Sequence, residues 1–204
     1  MISIQTFLND SKKIVPVIAL PELDMALPLA DTLMSCGFKV LEITLRTPCA
    51  LEAIKTIATQ RPDIVVGAGT IKNQQQLELA LNAGASFIVS PGLDINMVKT
   101  AKIREVPIVP GIMTATELML AENEGLPVVK LFPATLAGGT DFLDAMRPVF
   151  PEMKFFPTGG ISEETVGSFL TRDNVVCVGG SWLTPGKLLQ QRDWSRIHEV
   201  ASRC

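Results

Sequence analysis

Short runs of β-branched apolar residues recur eight times along the chain, each followed by a Gly/Pro turn and then by a stretch with apolar residues at helical spacing. The runs are residues 14–19, 39–45, 64–68, 87–90, 108–109, 128–132, 154–156 and 175–178. Amphipathic segments such as 25–36, 74–83 and 116–124 lie between them. Strand then helix, eight times in 204 residues, predicts an α/β fold of the (β/α)8 TIM-barrel type, at the small end of its size range. A doubly wound sheet is the alternative. Helix starts agree with this phrasing: Thr114 with Glu117 reads as a capping box, and Asn73 with Gln76 as a similar cap. Residues 1–12 read as an extra helix ahead of the first strand. No linker or low-complexity tract divides the chain, so residues 1–204 are expected to form one domain.

A net charge of -3 offers no broad attraction for nucleic acid or an anionic membrane, so any anion must be held locally and the expected partner is a small molecule. Cys36, Cys49, Cys177 and Cys204 are scattered without a C-x-x-C pair, which disfavours a zinc site or a disulfide framework and suits a reducing cytoplasm. The start MISIQTFLNDSKK lacks a basic segment followed by an apolar one, and nowhere do about 18 apolar residues run together. Neither export nor anchoring is expected.

Side chains alternate along a strand, so in VLEITLR the residues Val40, Glu42, Thr44 and Arg46 share one face, while Leu41, Ile43 and Leu45 share the other. The apolar face belongs against the helices, which directs Glu42 into the barrel. By the same parity Lys130 in VVKLF points inward with Val128 and Phe132. These are the second and sixth strands, which face each other across a ring of eight, and an eight-stranded interior is narrow enough for the two side chains to meet. A buried ion pair with no further role would be a weak source of stability. A desolvated lysine instead supplies free amine for attack on a carbonyl, and the carboxylate can then move protons.

Arg46, last on that inward face, is placed to grip a carboxylate with its planar fork, and Thr70 in GAGT could donate to the same group. Singly, Arg46 reads equally as a rim salt bridge and Thr70 as a helix cap. The loops after strands seven and eight each carry Gly-Gly, at Gly159-Gly160 and Gly179-Gly180, followed in the second by Ser181. In this fold those loops often cradle phosphate with glycine N–H groups and a helix N-terminus. Ser181 reads as a helix cap, a phosphate ligand or both. Phe132 can wall the substrate or pack in the core. His198 reads as a solvated surface residue, and Met97, Met113 and Met119 as core.

Seven short motifs occur in order: LEITLRT (41–47), GAGT (67–70), SPG (90–92), PGI (110–112), KLFPA (130–134), PTGGI (157–161) and GGSWL (179–183). Together they resemble the 2-keto-3-deoxy-6-phosphogluconate aldolase family, also called 4-hydroxy-2-oxoglutarate aldolases. The resemblance implies a metal-independent class I aldolase, usually a homotrimer, that uses no cofactor and cleaves its substrate to pyruvate and glyceraldehyde 3-phosphate. The family's Schiff-base lysine falls on Lys130, its general acid/base on Glu42 and its carboxylate contacts on Arg46 and Thr70. Its phosphate contacts fall on Gly159, Gly160, Gly180 and Ser181, and Thr158 falls where a substrate hydroxyl is sensed. Pro91 and Phe132 match positions that wall the pocket. Leu131 stands where the family commonly has Phe, and the segment after Pro133 also departs from it. The competing expectations are an aldolase for the phosphogalactonate epimer, and a non-aldolase phosphosugar enzyme or sensor on the same barrel.

Overall fold

Strands that are apolar on both faces need cover on both sides, and the strands here have it. In the computed structural model, which describes residues 4–9 and 11–204, every residue of β1 (Ile14–Ile18) and β2 (Val40–Thr44) is buried. The chain continues through β3 (Val65–Gly69), β4 (Ile88–Val89), β5 (Ile108–Val109), β6 (Gly111–Ile112), β7 (Val128–Leu131), β8 (Lys154–Phe155) and β9 (Val178–Gly180). All their pairings are parallel, in the orders β5-β4-β3-β2-β1-β9 and β6-β7-β8.

The two sheets are arcs of one ring. β5 and β6 are a single strand interrupted at Pro110, whose ring nitrogen has no hydrogen to donate but whose carbonyl still accepts from the Lys130 N–H at 2.8 Å. Parallel bridges Phe155↔Val175 and Thr158↔Gly179 join β8 to β9 on the other side. Eight strands therefore close on themselves as a (β/α)8 barrel, and the open doubly wound sheet is set aside. Helices cover the outside: α1 (Ala26–Ser35), α2 (Ala50–Gln60), α3 (Gln74–Asn82), α4 (Ile95–Ile103), α5 (Ala115–Asn123), α6 (Gly139–Met146), α7 (Val166–Leu170), α8 (Gly186–Gln191) and α9 (Trp194–Ser202). The Thr114–Glu117 capping box starts α5, and Asn73 caps α3 by accepting from the Gln76 N–H. Each such cap stabilises by about 1 kcal/mol.

Strand parity divides the core into two layers. Leu41, Ile43, Val129 and Leu131 pack with the helices, while Val40 and Val128 join Val15, Phe87, Val89, Val109, Phe156 and Cys177 inside the barrel. Ile4 and Leu8 plug the amino end of that interior, and the Phe7 ring stands 6.3 Å from Phe87. Among the described residues of 1–12, the expected extra N-terminal helix is represented only by a 3-10 turn, Ile4–Phe7, where Ile4 and Leu8 are buried under the barrel. Residues 1–3 and 10 lie outside the described residues.

Two smaller expectations change. The eighth strand begins at Val178 rather than 175, since its ladder with β1 starts there and Val175 makes only an isolated bridge. Met97 is core, but Met113 and Met119 are exposed: Met113 precedes the α5 cap, and Leu118 and Ala121 take the buried face of that helix. His198 is exposed as expected. Among the described residues no helix is long and apolar enough to cross a membrane.

Candidate active site

The inward parity of β2 and β7 brings the two charged side chains together. Lys130 Nζ lies 3.8 Å from Glu42 Oε1, with Lys130 3% exposed and Glu42 fully buried. Neither Glu42 oxygen accepts a hydrogen bond from the protein, so the buried carboxylate keeps its full accepting capacity. The Lys130 ammonium stands 4.8 Å from the centroid of the Phe132 ring, so Phe132 borders the amine. Burial holds the Lys130 pKa below the ordinary lysine value; Glu42 opposes that shift and the Arg46 charge adds to it. More free amine is thereby present near neutral pH than on a solvated lysine.

Such an arrangement sacrifices stability. Replacing the pair with apolar side chains, as Lys130→Met with Glu42→Leu, is expected to raise stability by about 1–4 kcal/mol while removing activity. Denaturant unfolding of the double variant against the parent measures this, and a less stable double variant would contradict it.

Arg46 sits at the rim. β2 ends at Thr44, so Arg46 belongs to the following turn, where its Nε donates to Thr70 Oγ1 at 3.1 Å. Among the described residues no carboxylate lies within ion-pair distance of Arg46, so the bland rim salt bridge is not made and the guanidinium keeps donors for a ligand. Thr70 does not cap α3, which Asn73 does, and it is held at φ 60, a left-handed conformation that costs a threonine about 1 kcal/mol or more. Strain of this kind persists where the surroundings impose it.

The two glycine loops meet through the Thr158↔Gly179 bridge. Gly159 and Gly160 adopt φ 101 and 79, open only to glycine at low cost. A Cβ at Gly160 would fall 2.0 Å from Thr135 Oγ1. Thr135, which the sequence reading passed over, donates to the Gly159 carbonyl with its N–H at 3.2 Å and its hydroxyl at 3.3 Å, and so ties this loop to the segment after β7. Ser181 is exposed beyond Gly180, but α8 starts only at Gly186 with Pro185 as its N-cap. Ser181 therefore caps no helix, and α7, the helix after the Gly159-Gly160 loop, likewise begins only at Val166. Loop N–H groups, not helix ends, are what this region offers an anion.

Thr158 is buried with its hydroxyl oxygen unpartnered. Pro91 follows β4, half-buried, and its carbonyl lies 2.2 Å from where a Gly111 Cβ would project, so Gly111 lets the Pro91 loop close over the strand beside Lys130.

A buried amine beside a buried carboxylate, inside a (β/α)8 barrel with a free arginine and glycine loops at its rim, defines a barrel enzyme. A family model described as "Aldolase: KDPG and KHG aldolase" matches residues 4–200. The 2-dehydro-3-deoxy-phosphogluconate aldolase of Dickeya dadantii is 46% identical over 188 residues, 92% of this chain and 88% of that protein. The solved KDPG aldolase of Legionella pneumophila, with pyruvate captured as a covalent carbinolamine, superposes with a TM-score of 0.92 at 40% identity, covering 95% of this chain and 94% of that one. The 2-keto-3-deoxy-6-phosphogluconate aldolase of Zymomonas mobilis, solved with 3-phosphoglycerate, gives 0.90 at 39% identity, covering 98% and 93%. The chain belongs to the KDPG and KHG aldolase family, and so to the aldolases among the lyases.

Proposed function

We propose that this chain cleaves 2-keto-3-deoxy-6-phosphogluconate to pyruvate and glyceraldehyde 3-phosphate through an imine on Lys130, with 4-hydroxy-2-oxoglutarate as a secondary substrate. The observation that carries the reading is the Lys130–Glu42 pair, 3.8 Å apart and buried inside the barrel. The free amine of Lys130 adds to the substrate's C2 ketone, and loss of water gives a cationic imine. Glu42 takes the C4 hydroxyl proton as the C3–C4 bond breaks, the bonding electrons passing into the enamine while the aldehyde departs. The enamine is then protonated at C3, and water hydrolyses the imine to release pyruvate and the amine.

Arg46 and Thr70 hold the carboxylate, and the N–H groups of Gly159, Gly160 and Gly180 with the Ser181 hydroxyl hold the phosphate. Pro91 and Phe132 wall the space between. The Thr158 hydroxyl serves a substrate hydroxyl, and its lack of an internal partner supports this role, since an epimer that left it unpaired would bind less well. No cofactor or metal enters the scheme, and neither nucleic acid nor membrane is a partner. The chain acts as one domain, in the cytoplasm, where its four free thiols stay reduced. It assembles as a homotrimer, consistent with large apolar side chains left exposed at Ile103, Met119, Leu136 and Val149.

Comparing kcat/KM for the gluconate and galactonate phosphates and for the unphosphorylated acid tests the assignment. The phosphogluconate isomer is expected to lead, and a lead for either other substrate would refute it. Gly160→Ala, which puts a Cβ against Thr135 in a left-handed backbone, is expected to raise KM for the phosphorylated substrate about tenfold and leave the unphosphorylated acid unaffected.

A further inference from the structure

We infer that Gly69 is a positioning residue for the Glu42 carboxylate: its missing side chain leaves the space in which that carboxylate lies beside Lys130. The inference rests on the acid/base role proposed for Glu42. β3 pairs with β2 along its whole length, Glu42 opposite Gly67 and Thr44 opposite Gly69. Two apart on one strand, Gly67 and Gly69 both face the barrel interior. A Cβ at Gly67 would meet the Phe87 ring at 2.2 Å, and one at Gly69 would meet Glu42 Oε1 at 2.0 Å and its Cδ and Cγ at 2.7 Å. Beyond Val65, at the amino end of β3, this wall of the barrel therefore presents no side chain of its own. Phe87 fills the lower hollow and Glu42 lies across the upper one.

Gly69 does not owe its identity to backbone conformation, because it is not among the residues at positive φ. The three atoms nearest to an added methyl group all belong to the Glu42 side chain. That side chain has free single bonds and can swing aside, so the fold tolerates the change; the carboxylate, once displaced, leaves its place beside Lys130. Gly69 thus acts on the chemistry through Glu42.

Gly69→Ala, Glu42→Ala and the double variant would be compared by melting temperature, by kcat and KM for cleavage, and by borohydride trapping of pyruvate. Gly69→Ala is expected to melt near the parent, to lose about 10²-fold in kcat with little change in KM, and still to form the adduct on Lys130. In the Glu42→Ala background the same substitution should add no further loss, because the atoms it displaces are gone. Should Gly69→Ala alone not fold, a folded double variant would establish the same contact. Parental kcat in Gly69→Ala, losses that multiply in the double variant, or a double variant that fails to fold where Glu42→Ala folds would overturn the inference. Full turnover by Glu42→Ala would instead overturn the acid/base role, and absence of any pyruvate adduct on the parent would overturn the imine.

Discussion

Lys130→Ala is expected to lower kcat/KM for aldol cleavage by at least about 10⁴-fold, the loss that follows when the group forming a covalent intermediate is deleted. The parent protein, treated with pyruvate and borohydride, should gain the mass of one reduced pyruvate imine, located on Lys130 by peptide mapping; the variant should gain none. Lys130→Arg should fail as completely, because guanidinium keeps the charge and much of the bulk but never presents a free amine at usable pH. This separates imine chemistry from a role for the charge alone. An isomerase or a phosphosugar sensor on the same barrel would leave the lysine unlabelled. A labelled lysine elsewhere in the chain, or a parent that turns over without any adduct, would defeat the assignment.

Glu42→Gln should cost between about 10²- and 10⁴-fold in kcat, the range for loss of a positioned acid/base group, with KM little changed. It carries a second signature whose sign follows from the electrostatics of Lys130. Burial lowers the lysine pKa and the Glu42 charge partly restores it. A neutral glutamine removes the restoring influence, so the pKa falls further and free amine appears at lower pH. The rate of imine formation with pyruvate rises with pH as the amine deprotonates, and in the variant that rise should occur at lower pH than in the parent. The proton-transfer step is crippled while the nucleophile is more readily available. An unmoved pH limb, or one displaced upward, would show that Glu42 does not act electrostatically on Lys130.

Much of this site is visible in the chain itself, because strand parity is a local rule. Glu42 and Lys130 each stand in an apolar strand at positions whose neighbours two residues away point inward, and the eightfold alternation places their strands on opposite walls. Helix starts at Asn73 and Thr114 are equally local, since a capping side chain bonds to a backbone N–H three residues on. The errors fall where long-range packing outweighs local pattern. Residues around Ile4 and Leu8 were drawn to the open end of the barrel and took a 3-10 turn instead of a helix. Ser181 had the chemistry of a cap, but the turn after β9 runs on to Pro185 before a helix begins.

Local pattern in the chain sets the alternation of strands and helices, the face each side chain takes along a strand, and the presence of one amine and one carboxylate among apolar neighbours. These follow from backbone geometry over a few residues. The 3.8 Å separation of Lys130 and Glu42, the hydrogen bond from Arg46 to Thr70, the tie between Thr135 and the Gly159 carbonyl, and the hollow that Gly67 and Gly69 leave for Phe87 and Glu42 arise only when the barrel closes. Closing a ring brings together residues far apart in the chain, and close packing then decides which of them touch.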